Sequence, residues 1–177
     1  MQDKTAVVRS NIYFLRQGIS ILNSISDSNY SKNNGLHFKS GIGRHFRHII
    51  EHYTSFIQGY KSRINYDDRE RNLMLETSRE CAISKIDSVI KEIEFFQLNT
   101  NHLESEIHVL SNQSSDHQNS DWSKSSVRRE LQFLISHTVH HYALIAFILK
   151  TMGLDVPDNF GVAPSTLNYE SLSKKSF

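Results

Sequence analysis

The 177-residue chain carries 20 basic against 19 acidic residues and is 38% hydrophobic, a balance that fits one globular domain with a core of ordinary size. Its net charge of +1 creates no long-range field for polyanions, so neither nucleic acid nor an anionic membrane is expected as a partner. Seven glycines and two prolines are too few breakers for a many-stranded β protein and favour long helices.

The N-terminal segment interrupts its apolar residues with charges and lacks the oily core and cleavage site of a signal peptide. Val8, Ile12, Leu15, Ile19 and Leu22 recur every three or four residues and predict a first amphipathic helix over about residues 5–27. The stretch "SDSNYSKNNGLHFKS" that follows has loop composition. Ser40 can cap a second helix, in which Ile42, Phe46, Ile49, Ile50, Tyr53, Phe56, Ile57 and Tyr60 form a wide apolar arc down to Gly59. "KSRINYDDRERN" reads as a charged turn. Leu73, Leu75, Ile83, Ile86, Val89, Ile90 and Ile93 then carry a third helix, expected to be the longest, to about Phe96.

Between residues 97 and 126 the pattern changes. "HLESEIHVL" alternates at period two and a polar stretch follows, so a small hairpin or a long loop is expected before the last helix. That fourth helix runs from Ser126 to Met152, with Gly153 as its C-terminal cap and Pro157 beyond. The tail, 154–177, reads as irregular, with Phe160, Val162 and Leu167 able to pack along the helices. The longest apolar run, Tyr142 to Leu149, is too short to cross a bilayer. Cys81 is the sole cysteine, which rules out an internal disulfide and fits a reducing compartment. Together these features predict a soluble, cytoplasmic, all-α protein. Residues 1–177 are expected to form a single domain whose four-helix bundle occupies about 5–153.

Chemistry concentrates in the histidines. Ten of them in 177 residues would give roughly 0.5 chance pairs at spacing four, yet this chain has two, His48 with His52 and His137 with His141. His45 and His140 lie close by. On a helix, residues four apart share a face, so His137 and His141 can reach one ion. Leu134, Leu144, Ile145 and Ile148 share that face, and imidazoles turned into it need partners for their lone pairs. A metal supplies one; water, a carboxylate or a backbone carbonyl would also do so. A third ligand would come from "RHFRHIIEHY", where the helical wheel favours His52 or His45 and sets His48 roughly 120° from the centre of the apolar arc.

Other motifs are weak. Gly41 and Gly43 are not followed by the lysine of a phosphate loop, and no nucleophile elbow surrounds any serine. Cys81 has no C-x-x-C partner and reads as a buried small hydrophobe. Arg69 or Arg71 could face a ligand carboxylate, and Trp122 packs on the bundle end or lines a pocket mouth. Glu51 and Glu130 are candidates for a general base, although no spacing singles out either one.

Four blocks, "GIGRHFRHIIEHY", "INYDDRERN", "RRELQFLISHTVHHYALIAFIL" and "FGVAPSTLNY", in this order and separation, resemble the DinB-like family of small metal-binding four-helix bundles. The resemblance spans roughly residues 10–169. It implies an up-down-down-up topology, frequent homodimers, and a divalent ion, zinc or nickel. By motif, the implied ligands are His48 from "RHFRHI" with His137 and His141 from "SHTVHH". Three protein ligands leave a coordination position open. Some relatives are transferases or isomerases that use a low-molecular-weight thiol, so the expected function is transfer of such a thiol to a small electrophilic substrate. A non-catalytic metal-binding or dimerisation module and a metal-dependent hydrolase are the alternatives. A pocket lined by Arg44, Arg47 or Arg69 would favour the enzyme; a fourth protein ligand would favour the module.

Overall fold

The computed structural model describes residues 3–32, 40–111 and 121–173. Within them the chain is mostly helical, with a small three-stranded sheet. The long helices are α1 (Ala6–Ser24), α3 (Ile42–Gly59), α5 (Arg79–Leu98) and α6 (Val127–Thr151). α1 packs on α5 and α6, and α3 packs on the same two, so the four enclose one core. That core holds Val8, Leu15, Phe46, Ile50, Phe56, Ile86, Ile93, Leu134 and Ile145, all almost wholly buried.

Serines decide where the helices break. The first predicted helix divides after Ser24, because the Ser26 hydroxyl accepts the Asn29 amide and starts the short α2 (Asp27–Ser31). The third predicted helix divides in the same way. Ser78 closes α4 (Leu73–Thr77) and caps α5 by accepting the Cys81 amide. Leu73, expected inside, lies in that detached turn and is 67% exposed. α3 starts from Gly41 without a side-chain cap, not from Ser40. α6, not the third predicted helix, is the longest at 25 residues. It begins where the sequence places it, with Ser126 accepting the Arg129 amide, and Gly153 follows its end at φ 73°.

Two segments read as irregular are ordered. Arg63–Asn65, inside the expected charged turn, form β1, which pairs in parallel with β2 (Glu106–Leu110). β2 then pairs antiparallel with β3 (Ser123–Ser126), so that of the hairpin and the long loop expected before the last helix the strands pair as a hairpin. In the tail, Phe160 stacks on Tyr142 at 4.5 Å. Gly161, at φ 74°, lies so close to the α6 backbone that an added Cβ would come within 2.6 Å of the Ala143 nitrogen. Beyond this contact Pro164–Ser173 form α7, which the sequence pattern did not announce. Cys81, expected to be buried, is only half-buried.

α6 is also long and apolar enough to cross a membrane by length and composition, with mean hydropathy 1.2 over its best window. Reading only the uninterrupted run Tyr142 to Leu149 overlooks this, since the window tolerates isolated polar residues. Its inward face packs on α1 and α3 and carries Glu130, His137 and His141.

Candidate metal centre

α3 and α6 lie side by side, so the histidines of one face those of the other. His45, His48 and His52 come from α3, spaced by three and four residues; His137 and His141 come from α6. His48 Nε2 is 3.1 Å from His137 Nε2, which is 3.2 Å from His141 Nε2. His141 Nδ1 lies 2.9 Å from His45 Nδ1. His52 Nδ1 donates to the His48 carbonyl at 2.8 Å, a contact that fixes the proton on Nδ1 and leaves the Nε2 lone pair available. The ligand-capable nitrogens of His48, His52 and His137 all lie within 4.8 Å of one another.

This arrangement exceeds what the imidazoles can satisfy among themselves. A ring nitrogen carries either one proton or one lone pair, so His137 Nε2 can bond well with only one of its two neighbours. His137 Nδ1 is buried with no hydrogen-bond partner among the described residues. Nitrogens bound to one zinc at 2.0–2.1 Å in tetrahedral geometry stand about 3.3 Å apart, close to the separations seen here. Both donor chemistry and spacing fit a divalent cation.

Burial is the main force on the protonation of these rings. It lowers the pKa values of His48, His52, His137 and His141 to about 3, reinforced by neighbouring imidazoles, with Arg69 adding to the effect on His48, His52 and His137. Burial also lowers His45, helped by His140 and Arg44. The cluster is therefore neutral at pH 7, the form that binds metals.

Aromatic rings close one flank. Tyr66 stacks on His52 with centroids 5.4 Å apart and Phe133 on His137 at 5.5 Å, while the two aromatics meet at 5.3 Å. β1 delivers Tyr66, whose amide donates to the Leu110 carbonyl at 3.0 Å. Its hydroxyl donates to Glu130 Oε2 at 3.0 Å. Burial and the Glu130 carboxylate raise the phenol well above its ordinary pKa, so it remains a donor. After Tyr66 the chain turns, with the Asn65 side chain accepting the amides of Asp67 and Asp68. Arg69 then donates to the Tyr66 carbonyl and faces Glu51 at 3.9 Å.

The structure thus brings His48, His137 and His141 together, and places His52 in the same group. The helical wheel had pointed to His52 and His45, and these are the more buried α3 histidines, 5% and 9% exposed, whereas His48 is half-buried. His140 sits at the rim, exposed, with its ring 5.1 Å from His141. Glu51 turns away from the cluster to accept the Asn72 amide at 2.8 Å. Glu130 is buried behind Tyr66. Sequence reasoning missed Tyr66 and Phe133 as walls. Phe133 could have been found, since it precedes His137 by four residues and shares its face; Tyr66 could not, because its position depends on strand pairing. Trp122 is 42% exposed, with the Arg63 guanidinium 5.2 Å from its ring.

A helical protein with an interhelical histidine centre of this kind defines a class. The particular family follows from the sequence: the profile of the DinB family matches residues 1–163, and the chain belongs to that family. The chain is also similar to a protein named FK506-binding protein 5 from Rhizopus delemar, 39% identical over 109 residues. That match covers 60% of this chain but 27% of the relative, so the shared stretch is a minor part of the fungal protein. No solved structure matches the chain.

Proposed function

We propose that this protein binds a divalent ion, zinc or nickel, through His48, His137 and His141, and acts as a transferase joining a low-molecular-weight thiol to a small electrophile. The observation that carries the reading is the place of His137 Nε2, 3.1 Å from His48 Nε2 and 3.2 Å from His141 Nε2; membership of the DinB family supports it. When bound, the ion would supply a Lewis acid able to hold a thiol in its reactive, deprotonated form near neutral pH. The chain's own residues do the rest. Burial keeps the imidazoles neutral, the His52 and His141 hydrogen bonds orient their rings, and Tyr66 and Phe133 shield one side from water. Arg69 adds positive charge beside the cluster and favours an anionic group there. The same family reading carries a single domain, an up-down-down-up order of the long helices, a homodimer and a cytoplasmic location.

One observation favours a second reading. His52 has the oriented, backbone-anchored ring of a metal ligand. A fourth imidazole would close the coordination position that chemistry needs, leaving an ion that ties α3 to α6 as a non-catalytic module. Metal-dependent hydrolysis is a further alternative within the enzyme reading. Elemental analysis of the purified protein, followed by titration of its cobalt-substituted form with several biological thiols, tests these readings. About one ion per chain and a thiol-dependent change in the cobalt spectrum support the transferase. Full occupancy with no spectral response supports the module, and absence of metal binding removes both.

A further inference from the structure

A cavity of about 250 Å³ lies between the β2–β3 strands and the first turns of α6. One wall is apolar and aromatic, made by Val109, Tyr66 and Phe133. The last two are the rings stacked on His52 and His137, so the cavity is one ring removed from the histidine cluster. Glu130, 6% exposed, also lines it, while Lys124 and Arg129 line it from exposed positions.

Glu130 is the unusual feature. A buried carboxylate ordinarily takes a cationic partner, but this one is held only by neutral hydroxyls, Tyr66 at 3.0 Å and Ser125 at 2.5 Å. No ion pair to it is found among the described residues. Each carboxylate oxygen can accept a further hydrogen bond, and Glu130 borders an open space. At the rim the signs reverse: Lys124 is in a well-exposed pair with Glu106 at 3.3 Å, which constrains it weakly. Arg129, on the same turn of α6 as Glu130, leaves its guanidinium without a hydrogen bond or ion pair among the described residues.

We infer that this cavity binds a small ampholyte of amino-acid type: its ammonium toward Glu130, its carboxylate toward Arg129 and Lys124, its apolar part against Val109, Tyr66 and Phe133. The volume falls just below the usual range of ligand pockets, which limits the occupant to one such unit. Binding depends on the carboxylate and the rim cations, not on an ion at the histidines, so it stands or falls separately from the metal reading.

Three probes of one shape separate the contributions: L-phenylalanine, phenethylamine, which lacks the carboxylate, and 3-phenylpropionate, which lacks the ammonium. Each is titrated into the protein as purified and after chelation, followed by amide chemical shifts. Phenylalanine is expected to bind at least tenfold more tightly than either fragment, in both states. Glu130→Gln, which keeps an acceptor for Tyr66, should erase the advantage over phenylpropionate. Arg129→Ala, at an exposed position, should erase the advantage over phenethylamine. Equal affinities for the three probes, or unchanged preferences in the variants, overturn the inference. So does binding that disappears on chelation or in His137→Ala, since the carboxylate would then be meeting the ion.

Discussion

Two polar clusters sit within the same α-helical layers and are finished differently. In one, Asn11, Tyr53 and Thr138 are wholly buried. The Asn11 amide donates to the Val7 carbonyl at 2.8 Å and the Leu131 carbonyl at 3.0 Å, Tyr53 donates to Asn11 Oδ1 at 2.8 Å, and Thr138 reaches Tyr53 at 3.4 Å. In the other, one residue along each helix, His52 and His137 join a cluster whose nitrogens outnumber their partners. A closed network ties α1, α3 and α6 together; an under-satisfied one at the same layer stores a preference for something the chain does not supply.

Removing one member from each cluster should give opposite results. His137→Ala is expected to abolish stoichiometric metal binding, a loss of affinity of at least a hundredfold. In the metal-free state it should cost only about 1 kcal/mol or less, because the ring it deletes already lacks a partner for Nδ1. Metal analysis and denaturation of chelated protein measure the two quantities. Comparing His48→Ala, His52→Ala and His141→Ala in the same way ranks the remaining ligands. Retention of metal by the His137 variant would break the contrast.

Asn11→Ala should do the reverse. It strands two carbonyls and the Tyr53 hydroxyl in the core and is expected to cost about 3 kcal/mol in urea or thermal unfolding. Metal stoichiometry should survive in the fraction that folds. A loss under about 1 kcal/mol would mean that water replaces the amide, and that the first cluster is not closed.

Acid should separate them next. The folded histidines have pKa values near 3, against the usual 6.5 when unfolded. Between these values the unfolded chain binds more protons. Stability of the chelated protein is therefore full above about pH 6.5 and falls progressively toward pH 3. Unfolding midpoints across this range should fall in wild type and fall less steeply in His48→Ala and His137→Ala. Asn11 and Thr138 have no proton to exchange here, so their cluster contributes nothing to the slope.

How much of this was legible in the residues depends on the range of the interaction. The α6 start at Ser126, its end before Gly153, the β2 alternation and the histidine spacing are local, and each is where the sequence put it. The α3 wheel likewise identified His52 and His45 as the more inward pair. The helix breaks at Ser26 and Ser78 were missed because apolar periodicity runs through both, while the serine side chains compete for the next turn's amides. β1 was unreadable for another reason. Three residues gain a strand only by pairing with Glu106–Leu110, more than forty positions away, and that pairing brings Tyr66 to the histidines.

The smallest expected effect is at this last contact. Tyr66→Phe keeps the ring stacked on His52 but removes the hydroxyl that donates to Glu130, at a cost of about 1 kcal/mol in stability. If Tyr66 serves only as a wall, metal affinity should stay within about twofold, since neither the His52 Nδ1 bond to the His48 carbonyl nor the packing changes. A larger drop in metal affinity, measured by competition with a chromogenic chelator, would mean that the Glu130–Tyr66 hydrogen bond positions the His52 ring. The open cluster would then reach beyond its imidazoles to the carboxylate behind them.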